Sequence, residues 1–182
     1  MTRRVPIIST IIVLAAVATM IALGVWQLGR MGEKADLLAR YEVAASTSDE
    51  VAFPMKGDGA EAWFRRSRLT CENVTKIEPV AGTSARGAKG WVLRATCESG
   101  VLVDLGYSRD IATPEWTGGE VTGVVAPGPR LVADPAVARL DAMAKPDPGN
   151  LPNNHLAYAG QWFFFALTAL IIYVLALRRK QR

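Results

Sequence analysis

Ile7-Ile8-Ser9-Thr10-Ile11-Ile12-Val13-Leu14-Ala15-Ala16-Val17-Ala18-Thr19-Met20-Ile21-Ala22-Leu23 decides the architecture of this 182-residue chain. No charged residue stands between Arg4 and Arg30, and the quoted core is almost purely apolar. A second run of the same kind, 156–177, lies in the charge-free interval between Asp147 and Arg178. Each interval exceeds the ~20 residues with which a helix crosses ~30 Å of hydrocarbon. A segment in lipid has to satisfy its own backbone amides, so each run is predicted to be a helix. The expected spans are residues 5–28 and 155–177.

Charge sets the expected orientation. The chain carries 21 basic and 17 acidic residues. Arg3, Arg4, Arg178, Arg179, Lys180 and Arg182 lie outside the two runs, leaving 15 basic residues against all 17 acids in between. Lysine and arginine are retained on the cytoplasmic side. The tails 1–4 and 178–182 are therefore expected in the cytoplasm, and residues 29–154 on the outer, periplasmic side of a bacterial inner membrane. The pI of 9.3 is then a signal of topology. It does not mark a nucleic-acid binder, which would need a basic face on the domain itself. A cleaved export signal is the competing reading, because Arg3-Arg4 precedes an apolar run and Ala22-Leu23-Gly24 offers a small-x-small site. The length of the run and Trp26, at the depth of an aromatic anchor, favour a retained helix.

Beyond the first span, Leu28, Met31, Ala35, Leu38 and Tyr41 recur at helical spacing among charged residues. This predicts a helical extension, broken by Ser46-Thr47-Ser48 and by Pro54, Gly57 and Gly59. From Trp63 the texture turns to short β-type runs at 64–74, 76–80, 91–97, 101–107 and 120–125, with Glu98-Ser99-Gly100 as a tight hairpin. Asp134-Pro135 reads as a helix start, N-cap then proline, with Val137, Leu140 and Met143 as its apolar stripe. The expected fold is thus an α+β membrane protein, two transmembrane helices enclosing a small, mostly antiparallel β domain. Cys71 and Cys97 both fall in that domain. An outer compartment permits a disulfide between them as cross-strand neighbours, and two reduced core cysteines are the alternative.

Enzyme chemistry finds little support. The only histidine, His155, lies outside the β domain, so no histidine-based triad forms there, and clustered metal ligands are missing. Asp104 and Asp110 could be imagined as paired carboxylates, but scattered acids are mostly solvated surface. The chain is not expected to be an enzyme. The informative stretch is Asn153-Asn154-His155-Leu156-Ala157-Tyr158-Ala159-Gly160-Gln161-Trp162-Phe163. On a helix, His155, Tyr158, Trp162 and Phe165 share a stripe. An ionisable side chain at the membrane suggests function, and a neutral imidazole backed by rings suits iron in a porphyrin. The alternative is an interfacial histidine with Tyr158 and Trp162 as ordinary belt residues. Trp26 and Arg30 close the first span at the same outer face, where Arg30 could meet a carboxylate such as a haem propionate or simply snorkel.

Leu23-Gly24-Val25-Trp26-Gln27-Leu28-Gly29-Arg30 followed by Lys34 resembles the L-G-x-W-Q-x-x-R-x-x-x-K signature of the surfeit-locus family of cytochrome oxidase assembly factors. The Asn153 to Phe163 stretch, ending in Arg178-Arg179, is similar to that family's second signature. Val101-Leu102-Val103-Asp104-Leu105-Gly106-Tyr107 is similar to its V-L-V-N-R-G-W strand, with three of the seven positions different. The resemblance implies a role in assembling haem-copper cytochrome c oxidase, with haem a as cofactor and His155 as its iron ligand. That role maps onto His155 only; Tyr158 and Trp162 on its stripe, and Trp26 and Arg30 at the same outer face, are expected beside the haem from their spacing and placement. The implied partners are oxidase subunit I, haem A synthase and the lipid bilayer. A scaffold that holds an oxidase assembly intermediate without binding haem is the alternative.

Overall fold

The computed structural model describes residues 6–180, so Arg3, Arg4 and Arg182 of the charged tails lie outside the described residues. The chain divides into two compact units, Met1–Leu37 with Pro152–Arg182, and Leu38–Leu151.

The first unit is built from two helices, α1 (Ile7–Ser46) up to Leu37 and α2 (His155–Lys180). Both are long and apolar enough to cross a membrane. They lie antiparallel. Thr10 Oγ1 and Tyr173 Oη share a 2.5 Å hydrogen bond near one end, and Gln27 meets His155 at the other. The side chains withdrawn from the surface follow a regular spacing. On α1 the stripe is Thr10, Val13, Val17, Met20, Gly24, Gln27, Met31 and Lys34, in alternating steps of three and four, with Leu23 and Leu37 half-buried beside it. On α2 it is His155, Ala159, Trp162, Ala166, Ala169 and Tyr173, with Thr168 and Leu177 half-buried as well. A mean step of about 3.5 residues is the seam of a left-handed helix pair. Small residues sit where the backbones approach, as is usual for helices in lipid. Gly24 is the tightest point, since a Cβ there would come within 2.5 Å of the Phe163 ring.

α1 outlasts any bilayer, as its helical extension predicts. It stops where Ser46 Oγ and Thr47 Oγ1 both donate to Val43 O, at 2.8 and 2.9 Å, supplying partners that the last turn lacks. Within the second unit, Tyr41 of α1 is buried against Trp63 and Phe64, with ring centroids 5.7 and 5.1 Å away. Burial, then the nearby Asp58 carboxylate, raises the Tyr41 hydroxyl above the ordinary tyrosine value.

The rest of that unit is one mixed sheet of seven strands: β1 (Glu50–Ala52), β2 (Arg66–Cys71), β3 (Val74–Thr83), β4 (Lys89–Cys97), β5 (Leu102–Ser108), β6 (Gly119–Ala126) and β7 (Arg130–Ala133). Their order is β1-β2-β6-β7-β5-β4-β3, with β1–β2 and β5–β7 parallel and the other pairs antiparallel. The five expected strands are all present. The run 64–74 ends sooner than expected, at Cys71, because Val74 already pairs with Cys97 as the start of β3. The expected hairpin joins β4 to β5, with Gly100 at φ 82° closing it through Gly100 N–H to Cys97 O. Leu93, Ala95, Val103, Leu105, Val125 and Leu131 form the fully buried centre.

Only Glu72 and Asn73 separate β2 from β3, yet these strands stand towards opposite edges of the sheet order. The sheet therefore curls until its two sides approach. Cys71 and Cys97 are bonded at this closure, with Cα atoms 5.5 Å apart. They are not cross-strand neighbours, because β6, β7 and β5 lie between β2 and β4. Asn73 adds to the closure by donating from Nδ2 to Glu98 Oε2 at 2.9 Å and accepting Glu98 N–H at its carbonyl.

The helix expected after Asp134-Pro135 does not form. β7 covers β5 only as far as Asp104, which leaves the backbone groups of Leu105 and Tyr107 to be satisfied. The segment after β7 meets them on either side of a turn at Ala138-Arg139, both at φ 57° and closed by Leu140 N–H to Val137 O: Val137 N–H bonds Leu105 O, Tyr107 and Asp141 exchange both bonds, and Ala144 N–H reaches Thr83 O further on. Val137, Leu140 and Met143 still face the core, packed onto the sheet. In unbroken extended chain residues three apart would face opposite ways; the turn at Ala138-Arg139 resets the phase, and the unfilled ladder of β5 decided against the helix.

Candidate functional site

The first unit brings one histidine and one amide together. His155 is the first residue of α2, following Pro152-Asn153-Asn154, and its ring turns onto the seam between the helices. Gln27 takes the seam position on α1, and its Oε1 stands 2.7 Å from His155 Nδ1. With Gln27 Oε1 as the acceptor, the contact is the pairing of a neutral ring that carries its hydrogen on Nδ1 and keeps a lone pair on Nε2. No hydrogen bond from Nε2 is found among the described residues. Nearby in the chain, Asn153 Oδ1 is enclosed and has no hydrogen-bond partner.

The other expected site residues are placed as follows. Trp162 is half-buried on the seam and meets Phe165 edge-on, with centroids 6.3 Å apart at 88°. Tyr158 is 50% exposed and Trp26 57% exposed, so both present their rings to the surroundings of the helix pair. Arg30 forms an exposed ion pair with Glu33, one turn further along α1. The stripe of α1 that faces α2 thus passes through Gln27, with Trp26 and Arg30 to its sides. Gln27 is the residue that sequence reasoning passed over. Its signal was present in the step of three from Gly24 and four to Met31, legible once the seam of small residues is followed.

A haem of the kind the sequence suggested would find one nitrogen ligand and several rings among these residues. The donor set is one imidazole, and histidine is a common ligand of haem iron. The aromatic rings of Trp162, Tyr158 and Trp26 can contact a porphyrin face. For a bare metal ion the structure offers less, because no group of three histidine, cysteine or acidic side chains converges among the described residues.

The β domain holds a separate cavity of about 340 Å³. Val80, Val92 and Met143 line it on the apolar side and Arg94, Asp104 and Arg130 on the polar side. Asp104 is 4% exposed and accepts Arg94 Nε at 2.6 Å, Arg94 Nη2 at 3.2 Å and Arg130 Nε at 2.9 Å. This knot ties β4, β5 and β7. Asp110 does not share it, since its carboxylate caps the following loop by accepting Ala112 N–H at 3.0 Å. The two aspartates that the sequence could pair are therefore committed elsewhere.

A model of one protein family, described as the SURF1 family, matches residues 14–167, which takes in the whole β domain, most of α1 and the first half of α2. No curated protein matches the chain.

Proposed function

Because the chain belongs to the SURF1 family, the surfeit-locus family of cytochrome c oxidase assembly factors, and so serves the assembly of that oxidase, we propose that it does so by holding haem a on His155 before the haem enters catalytic subunit I. The observation that carries this reading is the hydrogen bond between Gln27 Oε1 and His155 Nδ1, which leaves Nε2 unpaired and aimed by its neighbour. When bound, the haem would supply an iron that accepts one nitrogen donor and a flat apolar face for ring contacts.

The residues of the chain supply the rest. His155 would give one ligand, and it is the only histidine in the sequence. A single bond suits a carrier, which must release its cargo. Trp162 and the exposed Tyr158 and Trp26 offer ring surface beside the ligand, and Arg30 can turn from Glu33 to a propionate, as arginine favours bidentate carboxylate pairing. In this reading both helices cross the inner membrane, both ends face the cytoplasm, and the β domain works in the periplasm. The partners are oxidase subunit I, with haem A synthase as the donor, and the chain itself performs no catalysis.

A scaffold that binds no haem has one observation in its favour: the same Gln27–His155 bond would serve as a clasp between two helices. Purification from cells making haem a separates the two. Wild-type protein is expected to carry haem with the absorption of a histidine-ligated iron, and His155→Ala to lose most of it. An absorption spectrum unaltered by His155→Ala would remove the ligand assignment, and haem-free wild type would favour the scaffold.

A further inference from the structure

A glutamine in an otherwise apolar helix needs a reason. From Ile7 to Leu28 the polar side chains are Ser9, Thr10, Thr19 and Gln27, and the hydroxyls of Thr10 and Thr19 fold back onto carbonyls four residues earlier. Gln27 alone carries a group too large to be satisfied by its own helix, and it stands on the seam, where its amide oxygen meets His155 Nδ1 at 2.7 Å. We propose that Gln27 is the positioning residue of the haem site: it fixes His155 in the Nδ1–H form and sets the plane of the ring, so that Nε2 is presented as the ligand. This rests on the haem reading given above.

The chemistry is that of an outer partner to a metal ligand. A neutral imidazole not bonded at Nδ1 tends to place its hydrogen on Nε2, the form that cannot ligate through that nitrogen. An acceptor at Nδ1 reverses the preference, restrains rotation about the ring axis and makes the ligating nitrogen more basic; loss of such a partner typically costs 10–100-fold in affinity. Gln27 reaches His155 from the other helix, so the ligand is oriented only when α1 and α2 are packed.

The test uses full-length protein in lipid nanodiscs, with the variants Gln27→Leu and Gln27→Glu. Leucine removes the acceptor, and glutamate keeps an acceptor of greater strength. Nitrogen-15 NMR of the haem-free wild type is expected to show Nδ1 protonated and Nε2 bare, and Gln27→Leu to move the population towards Nε2–H. On titration with haem, Gln27→Leu is expected to bind 10–100-fold more weakly, with Gln27→Glu close to wild type. The iron reduction potential is expected to be highest in the leucine variant and lowest in the glutamate variant, an ordering that a merely structural glutamine would not produce. Wild type with hydrogen on Nε2 overturns the proposal whatever the haem does. If wild type takes up haem and both variants match it in affinity and potential, the positioning role falls while the haem reading stands. If NMR shows the Nδ1–H form but wild type takes up no haem, the haem reading falls and the proposal falls with it.

Discussion

Replacing Asp104 should cost the β domain more than any other single change to a charged side chain. Its side chain is 6% exposed and takes three hydrogen bonds from two arginines whose side chains are 22% and 30% exposed. In Asp104→Ala both guanidinium groups lose their counter-charge at once. Removing one partner of a buried pair costs about 3–5 kcal/mol, because the remaining charge stays desolvated. Here the neighbouring cavity lets water reach the arginines, so the lower end applies, about 3 kcal/mol. For a domain of this size each kcal/mol lowers Tm by roughly 4 °C, giving a fall of about 12 °C. Thermal melts of the full-length protein in detergent measure the fall and urea melts the free energy, both read by tryptophan fluorescence, since Trp63, Trp91 and Trp116 lie in this unit. The triple change Arg94→Met, Asp104→Leu, Arg130→Met should be near neutral by comparison, because it leaves no charge behind. A cost below about 1 kcal/mol for Asp104→Ala would refute the reasoning, since it would place the knot in the class of surface pairs.

Cys71→Ser with Cys97→Ser opens a loop of sequence separation 26, for which loop-closure entropy gives about 3.5 kcal/mol; the same melts, or a reduced wild type, should show it, and an unchanged midpoint would count against a bonded pair. Asp134 accepts from Lys145 at 2.7 Å and faces Arg66 at 3.4 Å, and the Lys145 hydrogen bond foremost holds its carboxyl below the ordinary aspartate value against the opposing effect of burial. A lowered pKa stabilises the fold above the unfolded value and ceases to do so as pH falls through the folded one. Asp134→Asn should therefore lower the unfolding free energy from urea melts slightly at pH 6, by about 0.5 kcal/mol for so exposed a partner as Lys145, with the difference shrinking once pH falls below the ordinary aspartate value and gone below the lowered folded one.

The parts legible in the sequence were those whose physics is local. Two charge-free intervals announce helices because lipid allows nothing else, and the alternation around Trp91 to Tyr107 announces a hairpin. β1 and β7 escaped because three or four residues are too few to show a period, and each exists by virtue of a partner far along the chain. The segment after Asp134 was misread for the same reason: its own residues fit a helix, and the demand that straightened it came from β5. The disulfide was within reach of compartment and composition, but its place at the closure of a curled sheet was not. At the site, His155 stood out as the lone histidine, while Gln27 looked like one polar residue in a signature until a second helix gave it a partner.

The sheet order has a consequence for synthesis. β2 is complete at Cys71, but its antiparallel partner begins only at Gly119, and Cys71 is itself matched with Gly119. As the chain emerges, the meander of β3, β4 and β5 can zip from neighbouring hairpins, whereas β2 must wait with an open hydrogen-bonding edge for nearly fifty further residues. Distant pairing of this kind is slow, since the intervening chain has to be gathered first. The Cys71–Cys97 bond, formed when a thiol oxidant of the outer compartment takes up the two electrons and two protons, comes within reach before β6 has been made, and it would pin the waiting strand beside the finished meander. A reducing environment at that moment would leave an unpaired edge exposed, the form in which young β proteins find one another instead of themselves.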